Sequence, residues 1–316
     1  MTVTATTIDR TTPICDAHHH LWDLNGSLYV ATDLNADIAS SGYQVPSSVY
    51  VECGAWYRDS GPEHLRPVGE TEWVADNADP ITRGIVGYAD LRLGSAVGEV
   101  LDAHLSAGHG KFRGIRHMAT WDASPQIRPV PPFPERQMLL ADNFRAGFAE
   151  LGSRGLSFDA WVYFPQLPEV ADLARAFPDT TIVLNHLGGP IALGPYNDRG
   201  AVLAEWRRLI PAVAKCPNVV MKLGGIGMPI YGMGWHKQPA DPTVDDVVAA
   251  WGDPIRFCVE QFGADRCLFE SNFPVDKFSM PYATLWDAFS VIAAGASSSE
   301  RTALFNATAR RVYRLP

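Results

Sequence analysis

Asp16-Ala17-His18-His19-His20-Leu21-Trp22-Asp23 is the stretch from which the rest of this chain is read. Pro13, Ile14 and Cys15 lead into it, so it reads as a short apolar strand running out into a polar turn. Residues two apart on a strand share a face, which puts His18 and His20 on one side and His19 on the other. Two imidazoles about 7 Å apart along the chain can grip one divalent ion or flank one carbonyl. A single histidine near a terminus is ordinarily solvated surface. Three in a row at the mouth of an apolar strand, bracketed by Asp16 and Asp23, mark a site.

Seven more short β-rich runs follow, at 48–53, 84–89, 112–117, 157–163, 181–186, 218–223 and 267–271. Helix-like segments lie between and after them at 97–106, 143–151, 167–176, 202–214, 244–262, 282–294 and 298–314. Eight strand signals alternating with helices predict one α/β domain over 1–316, a (β/α)8 TIM-type barrel rather than two doubly wound halves. No strand is followed by GxGxxG or GxxxxGK[ST], so dinucleotide and P-loop chemistry find no support. Two Pro/Gly-rich stretches, 122–136 and 224–243, are long for loops after strands and are candidate lids over the catalytic mouth.

Composition agrees with a soluble globular protein. Apolar residues are 47% of the 316 and charged ones 19%, enough for a sizeable core. The net charge of −9 argues against nucleic acid as a partner. Five scattered cysteines without CxxC spacing fit reduced thiols in a cytoplasm. There is no apolar leader in residues 1–12 and no run of about 18 apolar residues, so no membrane partner is expected. The expected partner is a small molecule, aromatic or anionic, with a homo-oligomer left open.

In such a barrel the strand ends converge. They supply His18, His20, Glu52, Arg116, His117, Tyr163, His186, Lys222, Glu270 and Asn272. Unpaired burial of such groups costs several kcal/mol each, so their gathering at successive strand ends points to a shared site. Taken singly, His186 reads equally as a core histidine, Lys222 as a structural ion-pair partner, and Tyr163 and Trp161 as packing. Cys53 should face away from Glu52 as buried filler, while His104 and His109 should be solvated on the outside. Trp56, Tyr57, Trp121, Phe133, Tyr231 and Trp235 lie after strands or in the lids, hinting at a flat ligand or at loop packing.

The ordered set DAHHHLWD, FRGIRH, NHLGGP, KLGG and ESNFPVDK resembles the amidohydrolase-related proteins of the amidohydrolase superfamily, in particular the lactonase-like branch. That resemblance implies a distorted (β/α)8 barrel and hydrolysis of a lactone or related cyclic ester. It implies that His18 and His20 are the family's HxH pair and His186 the histidine after strand six, with Arg116 near a substrate-binding arginine. The family closes strand eight with Ser-Asp-x-Pro; here Ser271-Asn272-Phe273-Pro274 stands in that place. An amide takes up no proton at neutral pH, so Glu52 or Glu270 is expected to act as base.

His18, His20 and His186, with Glu52 or Glu270, would suit a divalent metal, zinc first; metal-independent catalysis through the histidines stays open. Arg116, His117, Tyr163, Lys222 and His236 are the expected substrate-binding groups. Alternatives are a metal-dependent decarboxylase of an aromatic or muconate-type acid, an amide or imide hydrolase, and a barrel that binds without turnover.

Overall fold

In the computed structural model, which describes residues 8–24, 26–127 and 133–316, eight parallel strands form one sheet in strict chain order. They are β1 (Cys15–His19), β2 (Ser47–Val51), β3 (Thr82–Gly87), β4 (Phe112–Met118), β5 (Ser157–Trp161), β6 (Ile182–Leu184), β7 (Val219–Leu223) and β8 (Cys267–Phe269). Each is followed by a helix: α1 (Ala31–Ser41), α2 (Val68–Asn77), α3 (Val97–Ala107), α4 (Asp142–Ser153), α5 (Leu167–Ala176), α6 (Arg199–Ala214), α7 (Val244–Phe262) and α8 (Tyr282–Ile292). The (β/α)8 barrel expected from the alternation is the fold.

Closure is confined to a short seam. β1 and the chain just after β8 are joined by Asn272 N donating to His18 O at 2.8 Å and His20 N donating to Phe273 O at 2.7 Å. The same residues that carry the side chains of interest therefore shut the ring. A small antiparallel hairpin, Trp22–Leu24 with Ser27–Tyr29, replaces the simple polar turn expected after β1.

Local signals fix the helix starts. Thr243 accepts from Asp246 N at 3.2 Å while Asp246 accepts from Thr243 N at 2.9 Å, a capping box at the head of α7. The expected final helix 298–314 runs through Ser298–Thr302 and Thr308–Val312, joined by a π-helical turn at Ala303–Ala307. Val312, Tyr313 and Leu315 then pack with Cys15, Val49 and Val220 across the end of the barrel opposite the histidines. Among the described residues, no helix is long and apolar enough to cross a membrane.

Candidate active site

The histidine cluster forms because two strands, β1 and β6, aim at one point. His18 and His20 leave β1 toward the barrel axis with their Nε2 atoms 3.2 Å apart. His19 turns the other way, its Nε2 3.1 Å from Ser48 Oγ. His186, just past β6, adopts φ 53°, an unusual conformation for a non-glycine residue. Its ring centroid lies 4.7 Å from that of His18. The three imidazoles expected to meet do meet.

Glu270 organises two of them. Its Oε1 accepts from His186 Nδ1 at 2.6 Å, and its Oε2 lies 2.9 Å from His18 Nδ1. His20 Nδ1 donates to the Val51 carbonyl at 2.7 Å. With Nδ1 engaged on His20 and His186, each directs its Nε2 lone pair outward, the arrangement in which imidazole binds metal or accepts a proton. Burial pushes all three well toward the neutral form, helped at His18 by the Lys222 charge and at His20 by that of Arg116. Burial alone would raise the Glu270 carboxyl, but the paired His186 and the Lys222 ammonium hold it below its ordinary value.

Room for this pair is made by Gly224 and Gly225. A Cβ on Gly225 would fall 2.3 Å from His186 Nδ1, and one on Gly224 2.3 Å from the Glu270 side chain. Gly225 also has φ +65°. Gly225→Ala is accordingly expected to cost both activity and stability, on the order of 2 kcal/mol or more. Denaturant titration alongside turnover checks it, and an unchanged midpoint would disprove the steric account.

The two carboxylates expected to stand in for the missing aspartate are both committed. Glu52 Oε1 accepts from Arg116 Nε at 2.6 Å, and Arg116 Nη2 also donates to the Glu52 carbonyl. Glu270 lies behind the histidines. Arg116 Nη1 reaches His18 Nε2 at 3.3 Å, so the expected arginine is beside the cluster. Asn272, φ 55°, donates from Nδ2 to Asp276 Oδ1 at 2.9 Å, which turns its Oδ1 toward His20 Nε2 at 3.3 Å.

Lys222 lies beneath, fully buried, donating to Asp159 Oδ2 at 2.8 Å with its Nζ 3.2 Å from His18 Nδ1. Asp159 also accepts from Tyr313 Oη and Asn185 Nδ2, so a polar column descends the barrel axis.

Other expected residues go elsewhere. His117 is next to Arg116 on β4 and so faces outward, against Phe144 and Tyr88. His236 lies in the turn Trp235–Lys237, outside the cavity lining. Tyr163 borders a groove adjoining the cavity. His104 is buried, not solvated: α3 lays it against the barrel, between Thr71 Oγ1 and the Tyr88 carbonyl. His109 is exposed, as expected. Cys53, expected as buried filler, is half-buried: it borders the cavity, but its Sγ packs behind the wall, 3.4 Å from Tyr50 Oη and 3.5 Å from Glu70 Oε1.

Of the six loop aromatics, Tyr57 lines the cavity, whereas Trp56 stacks on Trp73 and Tyr231 is buried with its hydroxyl on the His186 carbonyl. The lid segment 122–136 includes 128–132, which lie outside the described residues. Sequence reasoning missed Asp159, Asp276 and the role of the paired glycines; their signal is visible only once partners across the barrel are known.

A second buried carboxyl sits behind the cavity wall. Glu70 accepts from Tyr50 Oη, Cys53 N and Ala55 N. Burial, together with the Glu52 charge, pushes it up to about 7 from an ordinary 4.5. The folded state thus retains a proton that the unfolded chain loses, and this contribution to stability is full below pH 4.5 and lost as pH rises through 7. Glu70→Gln is expected to flatten that decline. Denaturant midpoints at pH 5 and pH 8 check it; equal slopes in both proteins would refute the assignment.

The donor set fits a divalent ion. His18 and His20 oppose their Nε2 atoms at 3.2 Å, and ligand atoms of His18, His186 and Glu270 lie within 4.8 Å of one another. Neutral imidazoles and a carboxylate are zinc-type ligands.

Comparison with known proteins bears on the site. The amidohydrolase family profile matches residues 15–315. The uncharacterized protein y4mH of Sinorhizobium fredii is 35% identical over 96% of this chain and 98% of its own length. An L-fucono-1,5-lactonase of Burkholderia multivorans is 25% identical over 95% of this chain and 96% of its own. A crystal structure of an amidohydrolase from the same species, with bound zinc, shares the fold at a TM-score of 0.74 and 22% identity, covering 96% of this chain and 99% of that one.

Proposed function

The chain belongs to the amidohydrolase family, and from that premise we propose that this hydrolase opens a lactone or related cyclic ester of a small organic acid. The observation that carries the reading is the 2.6 Å contact between His186 Nδ1 and Glu270 Oε1, on a neutral histidine that lines the cavity. A carboxylate on Nδ1 fixes the tautomer, directs Nε2 at the cavity and steadies the imidazolium that forms when a proton is taken up. The similarity to an L-fucono-1,5-lactonase over nearly the whole chain supports the substrate class.

In this mechanism His186 accepts a proton from water as the water oxygen bonds to the carbonyl carbon. The same proton returns to the ring oxygen as the acyl C–O bond breaks, leaving a hydroxy acid. Arg116 Nη1, held by Glu52, is placed to share the negative charge developing on the carbonyl oxygen, an effect of about 3 kcal/mol. Asn272, fixed by Asp276, offers its amide oxygen and no proton acceptor. His18 and His20 would hold a divalent ion, with Asn272 Oδ1 alongside, leaving His186 Nε2 free for the proton, and a bound zinc would add Lewis-acid polarisation and acidify water.

Acid release from a panel of lactones is the test. Opening of at least one lactone, lost with a chelator and restored by zinc, is the expected result. Release of CO2 from an aromatic acid with no lactone opened would replace this reading with a decarboxylase.

A further inference from the structure

We propose that the lactone accepted here carries an apolar arm on its ring, not the hydroxyls of a sugar; the inference rests on the lactone reading above. The catalytic cavity, ≈ 500 Å³, gathers its charged, imidazole and amide groups on one side. His20, Glu52, Arg116, His186 and Asn272 form that side. The rest of the lining is mostly apolar, Trp22, Leu24, Met118, Trp161, Met228 and Val275, with Tyr57 and Tyr88 as its hydroxyl-bearing members. Met118, Met228 and Val275 are half-buried, so their apolar surface opens into the cavity rather than into packing.

A groove of ≈ 430 Å³ continues from it, sharing Met118, Trp161, Met228 and Val275. It runs on over Ile127, Leu193 and Ile230, with Thr120, Gln126 and Tyr163 as its polar side chains. A ligand whose ester sits at His186 therefore sends its ring substituent along an apolar trough.

The polar groups of the histidine side already have partners, while the Tyr57 and Tyr88 hydroxyls remain open among the lining side chains. Arg116 is held by Glu52, Asn272 by Asp276, His186 by Glu270 and His20 by the Val51 carbonyl. A polyhydroxylated ring needs a partner for each hydroxyl; Tyr57 and Tyr88 could serve two, and each one left without costs on the order of tenfold. A carboxylate arm fares no better: among the described residues, Arg116 is the one Arg or Lys side chain lining cavity or groove, and Glu52 faces it. A methylene seated on such walls, by contrast, gains about fourfold.

The test compares δ-decalactone, which has a pentyl arm, with δ-valerolactone, which has none, and with L-fucono-1,5-lactone. The expected kcat/KM for δ-decalactone is at least about 30-fold above both. Met228→Gln is expected to lower the δ-decalactone value at least about fivefold and leave δ-valerolactone within about twofold. Val275→Thr, nearly isosteric, gives the same contrast should the methionine variant fail to fold. A δ-decalactone advantage below about threefold, or faster opening of the sugar lactone, overturns the inference while the lactone reading stands. If no lactone opens, that reading fails, and thermal shifts with 5-hydroxydecanoate and 5-hydroxypentanoate decide the inference: a larger shift with the longer acid supports it, equal shifts overturn it.

Discussion

His186→Ala is expected to leave a folded barrel that turns over its substrate roughly 10²–10⁴-fold more slowly, the contribution of a positioned proton acceptor. The side chain packs at the cavity edge, with Trp161 4.7 Å away ring to ring, so its loss removes the acceptor without opening the core. Glu270 then keeps His18 and Lys222 as neighbours at 2.9 and 3.7 Å and is not stranded. Steady-state kinetics with circular dichroism and a melting curve check the result. A variant within a few-fold of wild type would take His186 out of the mechanism. Glu270→Gln should fall between the two, since an amide still receives the Nδ1 proton but steadies imidazolium poorly.

The largest effect on stability is expected from Lys222→Met. Its ammonium has no solvent exposure and faces Asp159 at 2.8 Å, so removing it leaves a buried carboxylate against Tyr313 and Asn185. Breaking a buried pair from one side costs about 3–5 kcal/mol. Pairing the change with Asp159→Asn should recover part of the loss, because no unmatched charge then remains. Denaturant unfolding at pH 7 measures both. A single-variant loss under about 1 kcal/mol would show that the column is not held together by this pair.

Much of this was legible from the sequence. Strand–helix alternation yielded eight strands close to their places, and the parity of β1 separated His18 and His20 from His19. Strand ends named the cluster, because a titratable residue closing an apolar run has few reasons to be there. The same parity, applied to β4, separates His117 from its neighbour Arg116, and the expectation that both bind substrate overlooked it.

What stayed hidden depends on contacts distant in sequence. Glu52 reads as a spare base until Arg116, 64 residues later, is seen to occupy it. Glu270 reads as a base until it is found behind two histidines, and His104 as solvated until α3 is docked. The glycines of Lys222-Leu223-Gly224-Gly225 look like a turn; their purpose is to leave space for another strand's side chains.

The seam between β1 and the segment after β8 has a consequence for synthesis of the protein. Its hydrogen bonds run from His18 and His20 to Asn272 and Phe273. A nascent chain on the ribosome thus carries the His18–His20 pair well before the segment after β8 emerges to close the back wall of the pocket. Prematurely terminated products lacking that portion should be inert toward esters, which keeps hydrolysis from starting in half-made molecules.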